Sequence, residues 1–359
     1  MSRPSLAHID LDALRHNYRL ARNIHGGRAL AVMKANAYGH GAGPCALALE
    51  GIADGFAVAF LEEAVALREA GIRSPILVLE GVFAGQDVAT LELLDLWTVV
   101  HHEEQLRMIE LHEGVPRIGV WLKADSGMGR AGFALQEMPA AHARLLASGK
   151  VTEVTLMTHF ARADEPDHSA TLHQITAFDA ATSTLQGDRS LCNSAGVLGW
   201  PRACRDWARP GIMLYGADPM PAANSSLRPV MTLESQVFAT RWLQTGEPLG
   251  YGATFVATRP TRVGLVAIGY ADGYPRVAPN GTPVAVDGHA TRLIGRVSMD
   301  MLTVDLSDLP ATGIGSRVEL WGAQVGVNDV ARRVGTVSYE LLCNVKRVPL
   351  AYREGAASE

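Results

Sequence analysis

Along the first two thirds of the chain, short apolar runs alternate with longer stretches in which apolar residues recur every three or four positions. The short runs predict strands at Leu30–Met33, Phe56–Ala59, Ile76–Leu79, Trp97–Val100, Gly119–Leu122, Val154–Met157 and Arg189–Cys192, with a weaker one at Trp207–Arg209. The longer stretches predict helices, among them Leu61–Ala70, Glu104–His112 and Leu172–Leu185. In the first helix Leu14, Tyr18 and Ala21 share one face, behind Asp12 as the expected N-cap. Eight strands alternating with helices over roughly 220 residues fit a parallel (β/α)8 barrel. A doubly wound open sheet produces the same local pattern, so periodicity alone leaves both architectures open.

The pattern changes after Leu227-Arg228-Pro229. Alternating strand-like pieces follow at Met231–Ala239, Arg262–Ile268, Thr282–Val286, Thr291–Arg296, Leu302–Leu306 and Arg317–Leu320, punctuated by Gly and Pro, with little helical periodicity. The expected organisation is α/β: a barrel over residues 1–228, then a mostly-β domain over 229–359. No low-complexity segment or longer repeat is visible.

Composition narrows the function. The 359 residues are 48% hydrophobic and 19% charged, which suits a folded core and excludes a disordered chain. Net charge is −5, so there is no basic excess to neutralise a phosphate backbone and no nucleic-acid partner is expected. Cys45, Cys192, Cys204 and Cys343 are far apart in sequence, without the CxxC spacing of a zinc site or a disulfide framework, and no metal is expected. Residues Met1–Asp10 hold no apolar run long enough for export, and no membrane-spanning segment follows, so the expected location is the cytoplasm, with no membrane partner.

Candidate chemistry lies at strand ends. Lys34 follows the first predicted strand, His159 the sixth, Ser194 the seventh and Arg209 the last. A closed barrel brings all four to its C-terminal mouth, where such barrels place their active sites. A lysine in that partly dry position is reactive toward carbonyl compounds, although a lysine snorkelling from a strand end is the commoner case. Ser194 alone reads as a helix cap and Arg209 as a salt-bridged arginine before a proline turn. His101 and His102 read as loop histidines, Cys343 as a small core residue, and Gly39–Gly43 lacks the third glycine of a dinucleotide site.

Longer blocks change the weighting. Ala-Val-Met-Lys-Ala-Asn-Ala-Tyr-Gly-His-Gly (31–41) resembles the cofactor-lysine motif of the alanine racemases. Lys123–Gly132, Met157–Ala161, Cys192–Gly196, Arg209–Gly216, Gly250–Phe255, Gly269–Tyr274, Gly295–Asp300 and Ser338–Glu340 resemble that family's other blocks, in its order, over nearly the whole chain. The resemblance implies a barrel-plus-β fold and a pyridoxal 5'-phosphate enzyme interconverting L- and D-alanine. It also implies a homodimer with shared active sites. Lys34 would hold the cofactor and act as base on one face of the substrate, and Tyr251 of the second subunit would serve the other face. A phenol near pKa 10 needs positive charge nearby to act as a base, a task the resemblance gives to His159 and Arg209.

The same resemblance puts Arg209 at the pyridine nitrogen. A guanidinium keeps its proton there, so the ring stays a weaker electron sink and transamination is limited. Ser194, Gly211, Ile212, Tyr38 and Tyr339 would hold the phosphate, and Arg130 and the backbone of Met299 the substrate carboxylate. Lys123 is a candidate for carbamylation, and Asp300 reads equally as a turn residue. Tyr251, Tyr339 and Met299 would leave room for little more than a methyl side chain. Two other readings are a basic amino-acid decarboxylase and a barrel-only cofactor carrier. Arg209 opposes the first and the chain after Pro229 the second. D-alanine biosynthesis is the role the resemblance suggests. The equilibrium between enantiomers lies near one, so sequence leaves the direction to surrounding metabolism.

Overall fold

A computed structural model of the protein describes residues 3–113, 118–222 and 226–354. Strand β1 (Leu6–Asp10) opens the chain, and strands β2 (Arg28–Val32), β3 (Gly55–Val58), β4 (Ile76–Val78), β5 (Trp97–Val100), β6 (Ile118–Lys123), β7 (Val151–Met157), β8 (Arg189–Ser190) and β9 (Trp207–Ala208) follow with helices between them. Strands β2 to β9 form one parallel sheet in the order β8-β7-β6-β5-β4-β3-β2-β9. Its two ends meet: Asp206 N–H donates to Arg189 O (3.1 Å), Arg209 N–H to Cys192 O (2.9 Å) and Ser190 Oγ to Trp207 O (2.9 Å). The sheet is a nearly closed barrel, which decides between the two architectures left open by periodicity. Strands β3, β4 and β5 and most of β2 and β6 are apolar because helices cover one face and the packed interior the other, whereas β8 is Arg-Ser and β7 opens with the exposed Thr152 and Glu153. Trp97, Trp121 and Trp207 pack with ring centroids 5.7–6.2 Å apart.

Strand β1 lies outside the barrel. It pairs antiparallel with β10 (Met231–Leu243) and parallel with β18 (Leu350–Arg353), so residues 6–10 sit in the second sheet although they precede the barrel in sequence. The helix Leu11–His25 is capped by Asp10, whose Oδ1 accepts from Ala13 N–H at 2.8 Å. Asp12, the expected cap, instead sits in the first helical turn. Asp10 wins because it closes a strand in extended conformation, the backbone a cap needs.

The remaining strands are β11 (Pro248–Leu249), β12 (Phe255–Val256), β13 (Thr261–Val266), β14 (Pro283–Val286), β15 (His289–Arg292), β16 (Leu302–Asp305) and β17 (Arg317–Trp321). They form a mostly antiparallel β unit in which β10 pairs with β1, β13 and β17. β11 and β12 make a separate hairpin. Two helices not foreseen in the sequence, Val327–Val334 and Ser338–Cys343, close the unit, and the second carries Tyr339. No described helix is long and apolar enough to cross a membrane.

Candidate active site

Lys34 follows β2, where Met33 N–H still donates to Ala57 O (2.7 Å) and so extends the barrel pairing. The chain then makes a left-handed turn: Ala35, Asn36, Ala37 and Tyr38 all have φ of 52–55°. Each non-glycine residue in that region costs about 1–2 kcal/mol, so four in a row need strong local support. Glu63 Oε1 accepts from Ala35 N–H (2.7 Å), and Asn36 Oδ1 from Ala42 N–H (2.8 Å). His40 Nδ1 lies 3.0 and 2.9 Å from the carbonyls of Ala37 and Tyr38, so Nδ1 must carry the ring proton and donate to both. At Gly39 a Cβ would meet Leu342 O at 2.2 Å.

The turn delivers Tyr38 against Tyr215 and Tyr339, at ring-centroid distances of 4.8 and 5.9 Å. Gly211 faces the same phenol, and a Cβ there would meet Tyr38 Oη at 2.4 Å. Ser194 Oγ accepts from Gly211 N–H (2.9 Å) and Met213 N–H (3.3 Å), so it ties the β8 end to the loop after β9. The cap of its helix is Asn193, which accepts from Gly196 N–H.

These groups line one cavity of about 330 Å³ at the barrel mouth. Of the site residues expected from sequence, it brings together Lys34, Tyr38, Lys123, Arg130, His159, Ser194, Arg209, Gly211, Ile212 and Tyr339. Arg209 is buried and donates to Thr158 O (2.6 Å), Ser190 O (3.0 Å) and Ser190 Oγ, none of them a carboxylate. Burial lowers its pKa to about 10, so it stays charged at neutral pH. Lys123 is also buried; desolvation, then the charges of Arg209, Arg130 and Lys34, hold it at about 8 against the opposing pull of Glu80. His159 is pushed well below the ordinary imidazole value by burial and by the same cations. It is therefore a neutral ring at pH 7. The exposed Arg130 follows a loop shaped by Asp125, whose Oδ1 accepts from Gly127, Met128 and Gly129 N–H at 2.9–3.1 Å.

Tyr251 and Met299 are not at this cavity in the single chain. Tyr251 sits on the turn of the β11–β12 hairpin and is 68% exposed; Met299 is 54% exposed. Asp300 beside it pairs with Arg347 at 3.3 Å. The cavity also includes Glu80, Asn193 and Cys343. Glu80 follows the predicted strand Ile76–Leu79, the same signal that singled out Lys34. Cys343, expected in the core, is only partly buried and lines the cavity. His101 does more than sit in a loop: it is half-buried, with Nε2 3.2 Å from Glu80 O.

Comparison with known proteins points to one family over both parts of the chain. The family model "Alanine racemase, N-terminal domain" matches residues 9–219, and "Alanine racemase, C-terminal domain" matches 230–352. An alanine racemase of Aromatoleum aromaticum is 66% identical, covering 98% of this chain and 99% of its own. The crystal structure of a biosynthetic alanine racemase from Pseudomonas aeruginosa superposes with a TM-score of 0.95 at 49% identity, over 98% of this chain and 100% of that one. An alanine racemase from Bartonella henselae, solved with covalently bound pyridoxal phosphate, gives 0.89 at 28% identity, over 98% and 99%.

Proposed function

The chain belongs to the alanine racemase family, enzymes that interconvert L- and D-alanine, and from that premise we propose that Lys34 and Tyr251 are its two bases, on opposite faces of the substrate Cα. The family depends on pyridoxal 5'-phosphate, and the residues present suit that group. The observation that carries the reading is that Lys34, Arg209, Ser194, Tyr38 and Gly211 line a single cavity of about 330 Å³. At one end the Ser194 hydroxyl, the phenols of Tyr38 and Tyr339 and the Ile212 amide form a donor-rich cradle, with Gly211 N–H tied to Ser194 Oγ; a Cβ at 211 would meet the Tyr38 phenol. At another, Arg209 offers a guanidinium with no acid beside it. When bound, the cofactor supplies an electron sink that acidifies the substrate Cα–H.

The rest falls to the chain. The Lys34 amine anchors the cofactor and, once free, takes or returns the proton on its face of Cα. Arg209 keeps its own proton, so the ring nitrogen gains a hydrogen bond without a positive charge, which limits protonation at the wrong carbon. Arg209 supplies the positive charge through which we expect Tyr251 to be tuned, with the neutral His159 ring as a hydrogen-bonding member of the same network. Arg130 and the Met299 amide receive the substrate carboxylate, with Lys123 carbamylated to orient Arg130.

Tyr251 and Met299 lie away from their own chain's cavity, so we infer a homodimer in which each β unit completes the partner's mouth. The assembled site then admits a methyl side chain and excludes larger ones. We also place the enzyme in the cytoplasm. Mixing Lys34→Ala and Tyr251→Phe chains after dissociation tests the shared site: hybrids would contain one intact site of two, restoring about a quarter of wild-type activity on random pairing. No recovery above the separate variants would rule the arrangement out.

A further inference from the structure

We propose that His25, Cys192 and Cys204 form a binding site for one zinc-class divalent cation, placed across the seam of the barrel. Their spacing in the sequence gives no hint of it, since the three come from the end of the first helix, the end of β8 and the loop before β9. In the fold, one ring nitrogen of His25 and the two sulfurs lie within 4.8 Å of one another. Tetrahedral zinc with sulfur at about 2.3 Å and nitrogen at about 2.0 Å needs ligand atoms roughly 3.5–3.8 Å apart, so a contraction of about 1 Å suffices.

A second observation points the same way. His25 is 5% exposed and its Nε2 has no hydrogen-bond partner. A buried imidazole nitrogen left without a partner is costly, and a cation would satisfy it. Its Nδ1 accepts only a long 3.3 Å contact from Gly27 N–H, which places the ring proton on Nε2. Coordination through Nε2 moves that proton to Nδ1 and gives up the Gly27 contact. The two thiols release their protons to solvent as the metal–sulfur bonds form. Cys192 is 0% exposed and Cys204 partly so. An open cleft is lined by Gly26, Gly27, Arg205 and Asp206, sequence neighbours of His25 and Cys204, together with Arg22, Asn23 and Arg28. Two thiolates and an imidazole select zinc over calcium or magnesium, and water takes the fourth position.

The location suggests a structural role. β8 and β9 are two-residue strands, and few backbone hydrogen bonds join them. A cation held by residues next to both would clip the least-paired joint of the barrel. The Cys192 carbonyl also accepts from Arg209 N–H, so the clip steadies the strand ends that carry Arg209 and Ser194.

The test uses the reduced, cofactor-loaded, full-length protein, stripped of metal and dialysed against zinc. The expected result is one zinc per chain, two sulfur neighbours at about 2.3 Å by X-ray absorption, and a higher melting temperature. Cys204→Ser, at a partly exposed position, should weaken binding at least about tenfold, and His25→Gln should do the same. Zinc bound well below one per chain, zinc with only nitrogen and oxygen neighbours, or binding unaffected by Cys204→Ser in a folded variant would each overturn the proposal.

Discussion

His40 offers a sharp test of how the reactive lysine is held. It is fully buried, its Nδ1–H bridges the carbonyls of Ala37 and Tyr38, and its Nε2 has no partner. Burial pulls its pKa from 6.5 down to about 4. A histidine depressed in this way stabilises the fold fully above its unfolded pKa, and that contribution is lost as pH falls through the folded value. The interval of about 2.5 units corresponds to about 3 kcal/mol, of which about 2 kcal/mol is already gone near pH 5.

His40→Leu removes the titrating group and takes the side-chain donor from the Tyr38 carbonyl, while the Ala37 carbonyl keeps the backbone N–H of residue 40 (3.0 Å), a loss of about 1–3 kcal/mol at neutral pH. Urea unfolding of both proteins at several pH values between about 4 and 7 separates the two effects. The wild type should lose stability steeply toward acid, whereas the variant starts lower and runs flatter. Cofactor affinity should fall alongside, because the left-handed turn that presents Lys34 and Tyr38 loses a tie. Parallel pH profiles for the two proteins would refute the assignment of the acid-sensitive step to His40.

Three substitutions probe the site directly. Lys34→Ala should abolish covalent attachment of the cofactor, read as loss of the cofactor mass after borohydride reduction and denaturation; an adduct retained elsewhere would show that another lysine holds it. Tyr251→Phe should slow proton exchange about 10²- to 10⁴-fold from one enantiomer and much less from the other in single-turnover deuterium washout, and equal losses would contradict two separate bases. Arg209→Glu should increase pyruvate formation per racemisation event as the ring nitrogen becomes protonated, and an unchanged ratio would remove the role given to that arginine.

The barrel was legible because its information is local. Most of the buried strands are short apolar runs, and Lys34, His159, Ser194 and Arg209 each follow a strand, although β8 itself is only Arg-Ser. What escaped the sequence depends on contacts made far along the chain. Lys-Ala-Asn-Ala-Tyr has the composition of an ordinary helix, and its left-handed course is held by ties from Glu63 and His40 and by the Asn36 side chain to Ala42 N–H. β1 joins the second sheet through partners 222 or more positions away. The Asp10 and Asp12 carboxylates both suit a cap by type, and only the end of β1 decides between them. Tyr251 is a different case: its motif singled it out, but one chain leaves it far from the cavity it is expected to serve, and local pattern does not encode a partner.

The charge balance at the mouth ties these residues to the ligands they would receive. Lys34, Lys123, Arg130 and Arg209 crowd one cavity with Glu80 as the anion among the lining residues. Their mutual repulsion is visible at Lys123, which each of the other three pushes down. A phosphate dianion and a substrate carboxylate relieve that repulsion, so anion binding should raise the Lys123 pKa again. Near pH 7 and a pKa of about 8, roughly a tenth of Lys123 is a neutral amine, the form that can react with carbon dioxide. Carbamylation would change this position from +1 to −1 beside Arg130 without any ligand. The modification and the bound anions therefore answer the same excess of positive charge. Once Lys123 carries the carbamate, a phosphate dianion and one carboxylate already match the three remaining cations, and the carbamate and Glu80 are left as excess negative charge that would repel a second acidic group, a charge-based reason for preferring alanine to an acidic amino acid.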